Sequence, residues 1–292
     1  MTKKRRRPWQ VFIVYALVML FAVFSACPLA WMFSTSIKPR TEIFRIPPQW
    51  IPANPTFIHY QKIFFPSPET QMTTTTETAK QFGTYFYNST LVSVASSVLA
   101  LLVAAPAAYA FSRFKFPGKN AAYFSILLRN MFPLLVFLVP LFFLWSQLGL
   151  RNTHLGLILA YLTFSLPLSI WLLRGFFDSI PPELERAARV DGCTRFGAFL
   201  RISLPLTTPG LAATAIYSFI QAWNEYPFAL HLTDSSSLRT LPVGLTYFFT
   251  ENTADWPGLM AAATFISIPV VIVFLMLQRY FVSAITAGAV KQ

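Results

Sequence analysis

Six long apolar runs constrain the fold of this 292-residue chain more than any other feature. They lie at residues 11–36, 85–111, 121–147, 154–177, 205–232 and 258–282. Each reaches the roughly 20 residues that a helix needs to cross about 30 Å of hydrocarbon at about 1.5 Å per residue. Since 55% of the residues are hydrophobic and only 12% are charged, a soluble domain of this size would be unable to bury the apolar surface. We therefore expect an all-α membrane protein with six transmembrane helices.

The first run follows a basic segment, K-K-R-R-R at residues 3–7, and therefore resembles a secretory signal peptide. The apolar core of a cleaved signal is about 7–15 residues long, whereas this run continues for more than twenty. We interpret it as an uncleaved first span.

The segments between the runs divide the rest of the chain. They comprise a basic N-terminus at 1–10, loops at 37–84, 178–204 and 233–257, a short basic turn at 113–119, and a tail at 283–292. The 37–84 loop contains seven prolines, and we expect short helices around 56–65. Residues 66–80 are polar and Thr-rich, which predicts a flexible, solvated stretch.

The distribution of Lys and Arg predicts the orientation in the membrane. Fifteen lie on the side of the N-terminus and seven on the other side, five of those seven in one long loop, where charge counts less. Both termini, the 113–119 turn and the 178–204 loop are therefore predicted to be cytoplasmic. The net charge of +12 reflects these orientation signals and does not indicate nucleic-acid binding.

The 178–204 loop contains the most polar long segment between two apolar runs. Asp178 or Ser179 is placed to cap a helix that begins at Pro181–Pro182, and Gly192 favours the left-handed conformation that ends it. A second short helix is predicted at about 194–203. One face of the first helix carries Leu184, Ala187, Ala188 and Asp191, and its small residues would let another protein approach closely. At this point a docking helix and an ordinary solvated loop remain equally open.

A spaced pattern within this loop separates the two interpretations. The pattern A-A-x3-G-x9-I-x-L-P occurs as Ala187-Ala188, Gly192, Ile202 and Leu204-Pro205. It resembles the EAA signature of permease subunits of ABC importers, whose loop forms the coupling helix on the ATPase. The resemblance implies coupling roles for Glu185, Arg186, Ala187, Ala188, Asp191 and Gly192. Arg186 stands where the signature has glutamate, so either Glu185 replaces that carboxylate or the partner surface differs.

Three further segments narrow the resemblance to maltose-type carbohydrate permeases. They are W-N-E-Y at 223–226, T-L-P-V-G-L at 240–245, and the ending Q-R-Y-F-V-S-A-I-T-A-G-A-V-K-Q. The likeness covers nearly the whole chain and is weakest at 66–82. It implies a type I importer fold that pairs with a second permease subunit, a cytoplasmic ATPase dimer and an extracytoplasmic sugar-binding protein in a bacterial or archaeal cytoplasmic membrane. It also implies that the tail contacts the ATPase through Gly288, Lys291 and Gln292.

No catalytic site is predicted for this chain. A P-loop requires G-x-x-x-x-G-K-[ST], and the pair Gly192 and Gly197 is followed by Ala198 instead of Lys. The two cysteines and three histidines are scattered, which does not favour a metal site. We expect no cofactor on this chain, with ATP and Mg²⁺ held by the partner ATPase.

Polar residues inside the runs are candidates for the translocation path. Arg129 and Asn130 lie within the third run, where Pro133 and Pro140 are expected to break the helix. In the fifth run Gln221, Asn224 and Glu225 form a polar stripe. Contacts with the second subunit would explain the same residues equally well. An Arg129–Glu225 ion pair is not expected. At the rise of about 1.5 Å per helical residue, the two side chains would differ by roughly 14 Å in depth within the membrane.

Aromatic residues in the spans, such as Trp145, Tyr161 and Trp223, are interpreted as packing or interfacial residues instead of sugar platforms. The leading hypothesis is therefore a carbohydrate importer permease that is driven by a separate ATPase. The alternative is a self-sufficient secondary carrier or channel, which would need its own coupling-ion site and usually an internal repeat.

Overall fold

The computed structural model describes residues 8–65, 75–249 and 254–289. Regular secondary structure in these ranges is helical, apart from one isolated β-bridge between Phe249 and Ala254. The chain divides into two compact units, which are described separately. One comprises Met1–Lys80 and Leu245–Ser267, and the other comprises Gln81–Gly244 and Ile268–Gln292.

The first unit is built around helix α1, Pro8–Ser36, and helix α2, Ile58–Phe64. The apolar side chains of α1 are almost all exposed, as expected for a span that faces lipid or another subunit. Helix α2 confirms the short helix predicted around 56–65. The predicted flexible stretch at 66–80 lies largely outside the described residues.

The second unit contains most of the remaining helices. They are α3 Thr75–Arg113, which begins in the first unit, α4 Lys119–Leu128, α5 Leu138–Gln147, α6 His154–Ser179, α7 Pro182–Val190, α8 Arg195–Ala198, α9 Leu204–Leu206, α10 Thr208–Trp223, α11 Pro227–Leu232 and α12 Leu241–Leu245. A π-helical turn at Phe199–Ser203 joins α8 to α9. The last helix, α13, spans Trp256–Ala289.

The third apolar run is not one helix. The chain bends by 103° between Lys119–Met131 and Leu134–Gln147. The 3-10 turns Arg129–Met131 and Leu134–Phe137 lie between α4 and α5 at this bend. Pro133 follows an extended Phe132 and breaks the helix as predicted. The break predicted at Pro140 is wrong, because Pro140 is the third residue of α5, where a missing backbone N–H has no helical acceptor to lose.

The fifth run is also interrupted. Helix α10 has 16 residues and ends at Trp223, and α11 begins at Pro227. Four helices in the described part of the chain are long and apolar enough to span a membrane, or five when α4 and α5 form one broken span. The all-helical membrane fold is confirmed, whereas the count of six spans and the cytoplasmic termini stay predictions.

Helix α6 lies at the centre of the second unit, with α10 packed along it. Gly210 of α10 faces Phe176, where an added Cβ would lie 2.5 Å from the ring, and Ser218 lies 3.2 Å from Ser169. Trp145, Tyr161 and Trp223 are all buried in the second unit. Their burial supports the packing role over a sugar platform.

Side-chain amides fix the loop that follows α11. Asn152, at a positive φ of 57°, accepts hydrogen bonds from the backbone N–H groups of Asp234 and Ser235 at 3.0 Å. Asn88 of α3 donates to the carbonyl oxygens of Ser237 and Arg239 at 2.8 and 2.9 Å. Two asparagines from distant segments therefore hold one end of the helix bundle together.

Candidate coupling site

Helix α7 begins and ends as its sequence dictates, with one exception. Pro182 starts it, Glu183 and Glu185 lie in its first turn, and Gly192 ends it at a φ of 92°. The predicted cap by Asp178 or Ser179 is wrong, because α6 continues through both residues. Asp178 instead pairs with Arg174 at 3.3 Å, and Pro181 occupies the N-cap position without a side-chain bond.

The predicted second helix follows directly. Thr194 caps it by accepting a hydrogen bond from the N–H of Gly197 at 3.0 Å, and α8 then passes into the π-helical turn. This turn carries Phe199 into the core and directs Ser203 toward α7. The short helix predicted at 194–203 is therefore present as two different helical turns.

The Glu185 carboxylate is buried and joins three parts of the chain. It accepts hydrogen bonds from Arg113 Nε at 2.7 Å, Tyr109 Oη at 2.9 Å and Ser203 Oγ at 2.7 Å. Arg113 also donates to the carbonyl oxygen of Ile180 at 2.8 Å. We call these four side chains, Glu185, Arg113, Tyr109 and Ser203, the Glu185 cluster. The cluster fixes α7 to the C-terminal end of α3 and to the π-helical turn.

The cluster favours the ionised form of Glu185. Burial raises the pKa of its carboxyl group, but the hydrogen bonds from Ser203, Arg113 and Tyr109 outweigh burial and hold the pKa below its ordinary value. Glu185 is therefore a charged structural residue that points into the protein. It does not take the exposed position at which it would replace the signature's glutamate toward a partner.

The outward face of α7 differs from the predicted one at a single position. Leu184, Ala187 and Asp191 are exposed, but Ala188 is buried beside Glu185. The prediction that Ala188 belongs to the accessible face is wrong, because the Glu185 cluster sets the rotation of the helix. Arg186 projects into solvent, with its side chain 71% exposed and only a weak 3.4 Å contact to Glu183.

A cationic cleft of about 460 Å³ lies beside α7. Its charged lining comprises Arg113, Lys115, Arg186, Arg189 and Arg195, with Glu185 as the one carboxylate. Because Glu185 already binds Arg113, the other four cations have no buried counterion in the cleft. A partner that binds over this cleft would meet a strongly positive surface.

The candidate path residues separate into two groups. Arg129 and Asn130 lie at the break after α4, where the Arg129 guanidinium lies over the rings of Phe137 at 5.0 Å and Phe164 at 5.8 Å. Tyr217 of α10 lies close enough to interact electrostatically with Arg129 and hydrogen-bonds to Gln221. The structure thus brings Arg129 and Gln221 into one neighbourhood.

Glu225 and Asn224 have structural roles at the start of α11 and the end of α10. Glu225 is buried and accepts hydrogen bonds from the backbone N–H groups of Phe228 at 2.8 Å and Ala229 at 3.0 Å. Asn224 donates to the carbonyl oxygen of Ile220 at 3.0 Å. No ion pair joins Glu225 to Arg129 in the described ranges, in agreement with the expectation from their depths.

The remaining site residues are the predicted tail contacts and the partners of Glu185 that the sequence did not indicate. Gly288 lies in the last turn of α13, whereas Lys291 and Gln292 lie outside the described residues. Sequence reasoning missed Tyr109, Arg113 and Ser203, because they precede or follow Glu185 by many residues. The only sequence signal for Arg113 was its place in the basic turn that precedes α4.

Comparisons with known proteins agree with this architecture. Residues 71–287 match the family model described as "Binding-protein-dependent transport system inner membrane component". The diacetylchitobiose uptake system permease protein DasC of Streptomyces coelicolor is 39% identical over 264 residues, covering 90% of this chain and 91% of DasC. The trehalose transport system permease protein SugB of Mycobacterium tuberculosis is 37% identical over 270 residues, covering 92% and 93%.

A solved structure shows the same fold. The crystal structure of a bacterial ABC transporter involved in the import of the acidic polysaccharide alginate matches with a TM-score of 0.77 and 25% identity. The match covers 96% of this chain and all of the other chain. With its helical spans, its interrupted third and fifth runs and its exposed helix α7, the chain belongs to the family of binding-protein-dependent transport system inner membrane components.

Proposed function

We propose that this chain forms half of the translocation pathway of a carbohydrate importer and receives its driving force through α7 from a separate ATPase. The observation that carries the proposal is that α7 is exposed on its outer face and fixed on its inner face by the buried Glu185 cluster. Because α7 is attached in this way, a partner that displaces α7 also displaces α3 and the π-helical turn that leads to α10. Relatives that are named for diacetylchitobiose uptake and for trehalose transport favour a carbohydrate substrate.

The proposed assembly has several other members. A second permease subunit would complete the pathway and cover the exposed side of the broken third span, and an ATPase dimer would bind ATP and Mg²⁺. The family description favours a binding protein as the partner that delivers substrate. The tail residues Gly288, Lys291 and Gln292 are proposed to contact the ATPase as well. The proposed site of action is a bacterial or archaeal cytoplasmic membrane.

The proposed solute path passes the break after α4 and the adjacent face of α10. Arg129, Asn130, Gln221 and Asn224 are its polar groups, and Glu225 contributes by holding the turn that carries Asn224. Arg129 supports this assignment, because an arginine within a span is expensive unless it faces water, substrate or protein. Its aromatic neighbours, Phe137 and Phe164, leave the charge without a carboxylate partner in the described residues.

The decisive experiment replaces Gly192 by valine in the assembled transporter. Gly192 has a φ of 92°, so a β-branched residue would distort the end of α7 without meeting a neighbouring atom. The proposal expects substrate uptake driven by ATP to be abolished and the ATPase to co-purify less. Gly149→Val is the matched control, because Gly149 also has a positive φ, 68°, with no atom within 4 Å.

Two outcomes would reject the proposal. Uptake and co-purification of the Gly192→Val protein that equal those of Gly149→Val would show that α7 does not couple the ATPase. Uptake that an uncoupler abolishes while ATP remains present would support the secondary carrier instead. Uptake should be measured in reconstituted vesicles with ATP enclosed in the lumen, where ATP and the proton gradient are controlled separately.

A further inference from the structure

Residues 44–51, in the loop between α1 and α2, have an inverted distribution of polar and apolar side chains. We call this stretch the 44–51 loop. In a soluble loop the charged groups face water, and large apolar groups seldom project together. Here the charged side chains that support the loop are buried, and the apolar ones are exposed.

Lys38 supports the loop from the side of α1. Its side chain is only 2% exposed, donates from Nζ to the carbonyl oxygen of Gln49 at 2.5 Å, and lies 4.0 Å from the ring centroid of Trp31. Ser34, in the last turn of α1, donates to the carbonyl oxygen of Trp50. The second half of the loop is therefore fixed directly to the end of the first span.

Glu42 supports the loop from the other side. It is 3% exposed and accepts hydrogen bonds from the N–H of Ala53 at 3.1 Å and from Asn54 Nδ2 at 3.3 Å. The backbone on both sides of the 44–51 loop is thus held by buried charges. A loop constrained in this way projects its side chains in fixed directions.

The side chains that project are large and apolar. Ile46 is 95% exposed, Ile51 85%, Phe44 76% and Trp50 52%. Arg45 lies among them, is exposed, and forms no ion pair in the described part of the chain. Exposed apolar side chains on either side of one unpaired cation match the interface of a bilayer, where hydrocarbon lies next to phosphate groups.

The loop continues the surface of a span. Helix α1 ends at Ser36, and none of the most apolar window of α1 is buried within the chain. Trp31 of α1 and Trp50 of the loop form an edge-to-face pair with centroids 4.9 Å apart. Tryptophans concentrate where hydrocarbon meets the lipid headgroups. This pair is of the kind expected at the depth at which a span such as α1 leaves the membrane.

We propose that the 44–51 loop inserts Phe44, Ile46, Trp50 and Ile51 into the interface of the leaflet at the C-terminal end of α1, with Arg45 at the phospholipid phosphates. The loop then anchors the end of α1 to the lipid. This inference depends on the membrane fold alone and not on the proposed carbohydrate substrate or ATPase coupling. Failure of either proposal therefore leaves the other unaffected.

The test measures the depth of single side chains in the intact transporter. Ile46→Cys and Ile51→Cys are made in a background with Cys27→Ser and Cys193→Ser, labelled with a nitroxide, and reconstituted with the co-purifying subunits into phosphatidylcholine–phosphatidylglycerol nanodiscs. Gln61→Cys, on the exposed side of α2, is the matched control. Collision with oxygen reports lipid, and collision with a water-soluble nickel chelate reports water.

The proposal expects the labels at 46 and 51 to collide at least about threefold more with oxygen, relative to the nickel chelate, than the label at 61. Equal ratios at all three positions would show that the loop faces water and would overturn the proposal. Labels at 46 and 51 that both reagents fail to reach would show that another protein covers the loop, which would also overturn it. An unchanged thermal transition confirms that each variant is folded, as expected for residues this exposed.

Discussion

The side chains of Glu185 and Arg113 form a 2.7 Å ion pair across 72 residues of sequence, and both are about nine-tenths buried. The pair attaches the helix that we propose to couple to the ATPase, α7, to the end of a membrane span, α3. Its burial distinguishes it from the Glu183–Arg186 pair on the same helix, whose side chains are 68% and 71% exposed.

Replacing Glu185 by glutamine should destabilise the protein strongly. Removing one partner of a buried pair leaves an uncompensated charge, here on Arg113, and lowers the free energy of unfolding by about 3–5 kcal/mol. The measurement is thermal or denaturant unfolding of the purified protein in detergent. Glu183→Gln is the matched control, because exposed pairs contribute only about 0–1 kcal/mol.

A double-mutant cycle with Arg113→Gln isolates the coupling between the two side chains. We expect the loss in the double variant to be smaller than the sum of the two single losses, since removing both charges leaves neither unpaired. Strict additivity would mean that the ion pair makes no specific contribution.

The pH dependence of stability should report the same cluster. Because the pKa of Glu185 is lower in the folded protein than its ordinary 4.5, folding favours the ionised carboxylate. Its contribution is then fully present above the ordinary pKa and declines as pH falls through the folded pKa. The difference in unfolding midpoint between wild type and Glu185→Gln should be constant near neutral pH and shrink below about pH 4.5. A difference that grows in acid would contradict this assignment.

Replacing Gly210 by alanine should disturb the packing of α10 on α6. An added Cβ would lie 2.5 Å from the ring of Phe176, so the helices would have to separate, at about 1–3 kcal/mol of stability. Replacing the ring by the smaller side chain of leucine, in the double variant with Phe176→Leu, should recover part of the lost stability. Gly175→Ala, one position before Phe176 and without a neighbouring atom within 4 Å, is the control and should stabilise α6 by about 0.5–1 kcal/mol.

Replacing Arg129 by leucine should separate function from stability. An arginine in a span is unfavourable by about 2.5–3.5 kcal/mol on insertion scales, so leucine should leave the unfolding midpoint unchanged or raise it. If Arg129 lines the solute path, uptake should nevertheless fall by about tenfold, the equivalent of 1.4 kcal/mol. Wild-type uptake would remove Arg129 from the path, and a loss of stability would indicate a structural role.

Local patterns predicted the elements of this fold well. The apolar runs, the helix at α7, its end at Gly192 and the start of the next short helix near Thr194 depend on residues within a few positions of each other, which the sequence displays directly. The two prolines of the third run show where local reasoning stops. Both prolines break helices in principle. Pro133 lies between two 3-10 turns, whereas Pro140 lies in the first turn of α5, and the position of that turn depends on packing.

The site was less accessible to prediction. The inward rotation of Glu185 depends on Arg113, Tyr109 and Ser203, which no short spacing connects to it. The same rotation buries Ala188, so a face that is uniform on a helical wheel becomes half buried in the fold. The cap that Glu225 forms on α11 was hidden for a different reason: Gln221, Asn224 and Glu225 have the spacing of a polar stripe on a continuous helix, and that spacing does not reveal the break after Trp223.

The break at Phe132 and Pro133 has a consequence for hydration. Phe132 is extended and Pro133 has no N–H, so the helical ladder of peptide hydrogen bonds is interrupted between α4 and α5. Hydrocarbon offers no hydrogen bonds to peptide groups at such a place, and only water or protein does. Amides at 130–136 should therefore exchange with deuterated solvent far faster than those of α6. Exchange measured by mass spectrometry would then show that water reaches the break, whereas the peptide groups of α6 stay protected from it.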